Sequence, residues 1–178
     1  MILPTTYMGS AEWYRQFLAN PSAVQIEVME SFPKQTYRNR CTITTPDGPL
    51  TLSVPVKRAD SKQLTRDVEI SYQQRWQHQH WIALVSAYKR TPYFDYYADS
   101  FRPFCEKETK FLVDLNEGLH DVIVRLMANN VAMGYGLWAT GENHTTDWQG
   151  LDLEPCFGNG QSILDILFEY GPESVMKI

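Results

Sequence analysis

The hydrophobic period of the chain changes at about Trp76, and this change is the strongest constraint on the fold. Before it, apolar and polar residues alternate over residues 23–30 and again from Cys41 to Val56, as they do in half-buried β-strands. After it, apolar residues recur every three or four positions, as they do on amphipathic helices. Strands followed by helices favour an α+β fold over alternating βαβ units.

The strand-rich part is predicted to cover about residues 1–71, with mixed or antiparallel strands and one β-hairpin. The hairpin turn is placed at Asp47-Gly48, because glycine adopts the positive φ that tight turns require. A further short strand is predicted over residues 67–71 from its alternating apolar residues. A chain of 178 residues suits a single domain, so the strands and helices are expected to share one core.

The helix-rich part is predicted to cover about residues 72–178. Its first helix begins at Trp76, and Thr91-Pro92 then has the composition of an N-cap and a first helical residue. Pro103 is expected to interrupt this second helix, since proline has no backbone N–H to donate. The remaining elements are predicted as a helix over residues 109–128, a strand over 131–140, a loop over 141–161 and a helix from Ser162.

The first helix of this part carries a histidine on its apolar side. At about 100° per residue, His80 falls inside the apolar arc, between Trp76 and Leu84. An imidazole titrates near neutral pH and often serves as a general base, so His80 is the candidate catalytic base. The alternative is a core histidine whose hydrogen bonds are satisfied inside the protein.

Three tyrosines are predicted to share a site with His80. Tyr88 lies on the same arc two turns after the histidine, and the turn before the next helix presents Tyr93. Phenol hydroxyls can orient a substrate or donate to a developing charge, so Tyr88 and Tyr93 are assigned catalytic roles and Tyr97 a substrate-binding role. The alternative is an aromatic core whose polar atoms bond to one another.

A second candidate site lies in residues 31–41, a segment that contains Lys34, Tyr37, Asn39 and Arg40. A guanidinium group binds planar or tetrahedral anions through two parallel hydrogen bonds. These four residues are therefore predicted to bind the carboxylate, the phosphate or the sugar ring of a substrate. The alternative is a solvated charged loop.

Neither a cofactor nor a metal site is expected. The three cysteines (Cys41, Cys105 and Cys156) lack paired spacing, and the histidines of H-Q-H lie about 200° apart on a helix. The chain has no phosphate-binding loop and no dinucleotide-binding glycine motif. A nucleophilic Cys41 with His80 as its base is a weaker alternative, because free cysteine is often a buried apolar residue.

The charge of the chain limits its partners. The net charge is −5 and the pI is about 5.3, whereas nucleic-acid binding usually needs a basic surface, so no nucleic-acid partner is expected. No apolar run reaches the length of a membrane span, and no signal peptide is apparent. We therefore expect a cytoplasmic protein that binds a sugar or other small molecule. The sequence leaves a homo-oligomer open.

Five motifs follow one another along the chain. They are L-P-T-T-Y at 3–7, K-Q-T-Y-R-N-R-C-T-I at 34–43, L-T-L-S-V-P-V at 50–56, W-Q-H-Q-H-W-I-A-L-V-S-A-Y-K-R-T-P-Y-F-D-Y-Y at 76–97 and S-I-L-D-I-L-F-E-Y-G-P-E-S at 162–174. Together they resemble the WbqC-like family of bacterial proteins, which is named after a protein of a lipopolysaccharide O-antigen gene cluster. The resemblance adds Trp76 to the predicted substrate-binding residues.

The resemblance implies an accessory enzyme of surface-polysaccharide (O-antigen or lipopolysaccharide) or related natural-product biosynthesis. Our leading hypothesis is group transfer to a sugar or small molecule, as by a transferase, with His80 as general base. The alternative is a noncatalytic protein of the same pathways that binds a glycan or a partner enzyme. An open cleft that His80 and Tyr93 share with Arg40 would favour the enzyme, and a sealed core would favour the binding protein.

Overall fold

A computed structural model describes residues 1–19, 21–57, 62–127 and 160–178. The first part of the chain contains short strands and one helix, namely β1 (Ile2–Pro4), α1 (Ala11–Ala19), β2 (Gln25–Glu27), β3 (Arg40–Thr45) and β4 (Gly48–Ser53). The rest is helical, with α2 (Trp76–Tyr88), α3 (Phe94–Glu106), α4 (Leu112–Met127), α5 (Ile163–Tyr170) and a 3-10 helix at Gly171–Met176. Short 3-10 helices also occur at Pro21–Ala23 and Thr65–Asp67. The predicted α+β class, with strands first and helices after, is confirmed.

The strands form two separate pairs. β1 lies parallel to β2, and β3 lies antiparallel to β4 as the predicted hairpin. Thr45 pairs with Gly48 at the hairpin end, and Gly48 has a φ of +115°, a value that L side chains rarely adopt. The position of the turn therefore follows directly from the glycine.

The predicted strand at 67–71 does not form, and this prediction is wrong. Ile70 makes an isolated bridge to Val56, while the preceding Glu69 makes another to Phe111. Because neighbouring residues pair with two different segments, no continuous ladder develops. This segment instead joins the end of the hairpin to the start of α4.

Two details of α3 also differ from the expectations. The Thr91 hydroxyl donates to the Tyr88 carbonyl at 2.7 Å, so Thr91 closes α2 rather than capping α3. The helix begins at Phe94, with Tyr93 at the N-cap position. Pro103 lies within α3 and does not end it, although its missing N–H costs the helix one backbone hydrogen bond.

Side chains from both parts of the chain pack into one hydrophobic cluster. β3 contributes Cys41 and Ile43, α2 contributes Leu84 and α5 contributes Phe168, and all four are buried. Because side chains alternate along β3, Cys41 and Ile43 point inward and Thr44 is exposed on the outer face. The cluster thus holds the inner face of the hairpin against the helices.

None of the helices within the described ranges is both long enough and apolar enough to cross a membrane. The strand expected over residues 131–140 and nearly all of the loop expected over 141–161 lie outside these ranges.

Candidate functional site

The candidate site is a cleft of about 240 Å³ beside the start of β3. Lys34, Asn39 and Arg40 line it, as does Lys57, which follows β4. Three of the four residues predicted to bind an anion are therefore neighbours in space. Lys57 is an addition that the sequence analysis missed.

The backbone around Asn39 explains why the cleft forms here. The Asn39 amide group donates to the Val54 carbonyl at 3.0 Å, and the Val54 N–H donates to the Asn39 carbonyl at 2.8 Å. These bonds extend the hairpin pairing one residue beyond β3 and bury Asn39, which is 8% exposed. They hold the side chains of positions 39 and 40 at the edge of the hairpin.

Two residues of the cleft each have a buried polar atom without a partner among the described residues. Among the described residues, neither Nε of Arg40 nor Oδ1 of Asn39 has a hydrogen-bond partner. An unsatisfied buried polar group costs about 1–3 kcal/mol, and more if it is charged. Asn39 and Arg40 thus each carry an unsatisfied polar atom at this edge of the hairpin.

The electrostatics of the cleft favour an anion. Lys34, Arg40 and Lys57 are cationic, and no carboxylate from the described part of the chain lines the cleft. The nearby Arg38 differs, since it is buried and forms an ion pair with Glu30. Arg38 thus has a structural partner, whereas Arg40 contributes its charge to the cleft.

Antiparallel pairing brings Lys57 to the site. Arg40, at the start of β3, pairs with Ser53, at the end of β4. A residue shortly after β4 must therefore lie near the residues shortly before β3. Lys57 could have been predicted from the sequence by extending the register of the predicted hairpin beyond the ends of both strands.

His80, the predicted general base, does not line this cleft. The imidazole is 4% exposed, its Nδ1 lies 2.9 Å from the Tyr7 hydroxyl, and the Ser53 backbone is a second hydrogen-bond partner. The ring of Trp76 packs edge-on against the imidazole at 5.0 Å. Burial lowers the pKa of His80 to about 4, so the ring is neutral at pH 7.

His80 lies against the hairpin and does not line the cleft. The imidazole bonds to the Ser53 backbone, and Ser53 is the register partner of Arg40. Cys41, the next residue along β3, is buried on the inner face. His80 and Trp76 therefore belong to the interior side of the hairpin, together with Tyr7, a partner that the sequence analysis missed.

Tyr88 forms a polar contact at a different place from His80. Its hydroxyl donates to Oδ1 of Asp165 at 2.6 Å, and Thr44 donates to the same carboxylate from its N–H at 3.1 Å and its hydroxyl at 3.0 Å. Burial and the Asp165 charge both raise the pKa of Tyr88. Asp165 therefore ties α2 to β3 and α5. Its spacing from Ser162 is that of a helix cap, so the sequence analysis missed its tertiary role.

The remaining predicted residues lie in two other places. Tyr93 and Tyr97 are half-buried and stack on each other, with ring centres 5.7 Å apart. Tyr93 also packs against Gly171, where a Cβ atom would lie 2.4 Å from the ring. Tyr37 is held through its carbonyl, which accepts from the Tyr7 N–H at 3.0 Å. The structure thus brings together Lys34, Asn39 and Arg40, then Trp76 and His80, then Tyr93 and Tyr97, as three separate groups.

Cys41 has the properties of a core residue. It is 2% exposed, and burial raises the pKa of its thiol well above the usual range, with a further contribution from the Asp165 charge. A thiol of this kind is a poor nucleophile, because the thiolate is the reactive form. Within the residues that the structure describes, no group of three metal-ligating side chains is present.

Comparison with known proteins gives one match. The sequence model of the WbqC-like protein family matches residues 14–135, a range that contains the cleft residues and all of α2 and α3. No curated protein and no solved structure matches the chain. The match confirms the resemblance drawn from the sequence motifs.

Proposed function

The chain belongs to the WbqC-like protein family, and we propose that it binds an anionic sugar or another anionic small molecule. The ligand's carboxylate or phosphate would occupy the cleft of Lys34, Asn39, Arg40 and Lys57. The observation that carries the proposal is the set of three cationic side chains, Lys34, Arg40 and Lys57, with no carboxylate among the described residues that line the cleft. Hydrogen bonds from guanidinium and ammonium groups to an anionic oxygen are stronger than those between neutral groups.

The pathway is part of the same proposal. The resemblance of the sequence motifs to the family implies bacterial surface-polysaccharide or related natural-product biosynthesis. Sugar phosphates and acidic sugars are the anionic small molecules of such pathways, and their charge suits a cationic cleft. We therefore place the protein there as an accessory binding protein.

Group transfer with His80 as general base is the second candidate function. In its favour, the lowered pKa of about 4 keeps the imidazole in the neutral form that a base requires. Against it, Nδ1 already bonds to Tyr7 and the ring is sealed in the interior. A general base must reach the proton that it removes, so this geometry supports ligand binding first.

The proposal is tested by calorimetric titration of the protein with glucose 1-phosphate and with inorganic phosphate. The Arg40→Gln variant should weaken binding about 10- to 100-fold, because a hydrogen bond to a charged group contributes about 1.5–3 kcal/mol. Lys89→Gln is the matched control, since it removes one positive charge from an exposed position at the end of α2. Equal binding by the two variants would contradict the proposal, as would the absence of binding by the unaltered protein.

A second pair of variants separates the two candidate functions. His80→Gln should leave the affinity for glucose 1-phosphate within about twofold, because His80 does not line the cleft. His78→Gln, an exposed change on the same helix, is its control. A large loss of affinity in a folded His80→Gln protein would instead indicate that the imidazole contacts the ligand. That result would favour the group-transfer hypothesis.

A further inference from the structure

We infer that the cleft is one end of a longer site, and that its ligand is a saccharide that carries one anionic group. The anionic group occupies the cleft and the sugar rings lie in an adjoining groove on the other side of Lys57. This inference rests on the proposed function, because it specifies the ligand of the same site.

The adjoining groove is large enough to hold sugar rings, whereas the cleft is not. Its volume is about 620 Å³, and its lining includes Lys57, Glu69, Tyr72, Gln73, Glu108 and Lys110. Ligand pockets usually measure about 300–1,000 Å³. The cleft, at about 240 Å³, is below this range and suits a phosphate or carboxylate group with little else. Lys57 lines both spaces, so a ligand held in the cleft can continue into the groove.

The two spaces differ in charge. Among the residues described as lining it, the cleft has three cations and no carboxylate. In the groove, Lys57 and Lys110 both lie near Glu69, at 2.6 and 3.7 Å, and Glu108 adds a second carboxylate. This balance gives a second anionic group no advantage, whereas carboxylates accept hydrogen bonds from hydroxyl groups. The ligand portion in the groove is therefore neutral and rich in hydroxyl groups.

Tyr72 provides a fixed aromatic ring in the groove. Its hydroxyl donates to the Thr109 carbonyl at 2.9 Å and accepts from the Thr109 N–H at 2.7 Å. The ring also packs against Trp76 at 5.8 Å. A fixed ring among polar groups suits a sugar, which has an apolar C–H face and a polar rim. Trp76 would then affect the ligand through Tyr72 rather than by direct contact.

Lys57 is the positioning residue at the junction. Its ammonium group bonds to Glu69 at 2.6 Å, and its side chain is 63% exposed. An anionic group in the cleft would compete with Glu69 for this ammonium. The competition releases a Glu69 oxygen to accept from a sugar hydroxyl, so that occupation of one space favours occupation of the other.

The inference is tested by titrating inorganic phosphate, glucose 1-phosphate and maltose 1-phosphate into the full chain. Affinity should rise in that order, by about tenfold or more overall, because each added ring contacts the groove. Glucuronate, run in parallel, supplies a carboxylate as the anionic group. Binding of both sugar phosphates more tightly than inorganic phosphate supports the inference.

Two tryptophan substitutions locate the sugar portion. Gln73 is exposed and lines the groove, while its neighbour Gln74 is equally exposed and does not. Gln73→Trp should remove the affinity gained from the sugar rings and leave inorganic phosphate binding unchanged. Gln74→Trp should change neither.

Two results would overturn the inference while the proposed function stands. One is equal affinity for inorganic phosphate and the two sugar phosphates. The other is a gain from the sugar rings that Gln73→Trp does not reduce. If none of the phosphate compounds binds, the proposed function itself fails, and the inference fails with it.

Discussion

His80 and His120 are both buried, and burial lowers the pKa of each imidazole to about 4. The two rings differ in their partners. His80 bonds to Tyr7, whereas no partner for either ring nitrogen of His120 occurs among the described residues. His120 lies instead against the rings of Trp13, Tyr14 and Phe17. Protonating either histidine inside the folded protein costs free energy. Both residues therefore make the stability of the protein depend on pH.

We expect the free energy of unfolding to fall as the pH is lowered from about 6.5 to about 4. The unfolded chain binds protons near 6.5, the usual pKa of histidine, while the folded protein binds them only near 4. Stability is thus complete above pH 6.5 and declines as the pH falls. A shift from 6.5 to about 4 corresponds to about 3 kcal/mol for each histidine.

Urea unfolding across this pH range measures the effect, with His120→Leu as the test variant. Leucine cannot be protonated, so the variant should lose less stability than the unaltered protein on acidification. His78→Gln, at an exposed position, should keep the full pH dependence. An unchanged slope in His120→Leu would show that the proton uptake occurs elsewhere.

The contact of Tyr88 with Asp165 belongs to the scale of elements, because one carboxylate joins α2, β3 and α5. α5 has its own local signals: the Ser162 hydroxyl accepts from the Leu164 N–H at 3.2 Å, and Gly171 ends the helix with a φ of +55°. These signals fix where α5 begins and ends. The Asp165 contacts fix where it docks.

Tyr88→Phe should destabilise the protein by about 1.5–3 kcal/mol, because it removes a hydrogen bond to a charged carboxylate. The change should leave glucose 1-phosphate binding intact, since Tyr88 does not line the cleft. Chemical denaturation and calorimetric titration measure the two effects. Tyr96→Phe is the control, at a position that is 78% exposed. If Tyr88→Phe lost ligand binding without a change in stability, Tyr88 would instead be part of the ligand-binding site.

At the scale of the whole molecule, ligand binding should raise the unfolding temperature. A ligand at 100 times its Kd stabilises the folded state by about 2.7 kcal/mol. For a chain of this size, that corresponds to a rise of about 5–10 °C. Thermal unfolding with glucose 1-phosphate measures it, and Arg40→Gln should show a clearly smaller rise at the same concentration, because its Kd is about 10- to 100-fold higher. An equal rise in that variant would place the ligand outside the cleft.

Much of the architecture could be predicted from the sequence. The change of period gave the order of strands and helices, and the glycine of the hairpin gave its turn. Lys34, Asn39 and Arg40 were predicted as a group because they lie within seven residues, and the structure keeps them together. Such patterns can be read from the sequence, because they depend only on residues a few positions apart.

The surroundings of the predicted catalytic residues could not be predicted in this way. Helical periodicity placed His80 on an apolar face, but its hydrogen-bond partner Tyr7 is 73 residues away in the sequence. Tyr88 likewise bonds to Asp165, which is 77 residues away. A buried polar atom takes whichever partner packing brings to it, and a period does not encode that choice. The sequence by itself therefore determined the elements and the chemistry of the cationic segment. Only the tertiary structure decided that His80 is sealed in the interior, since long-range packing sets which polar groups face the surface.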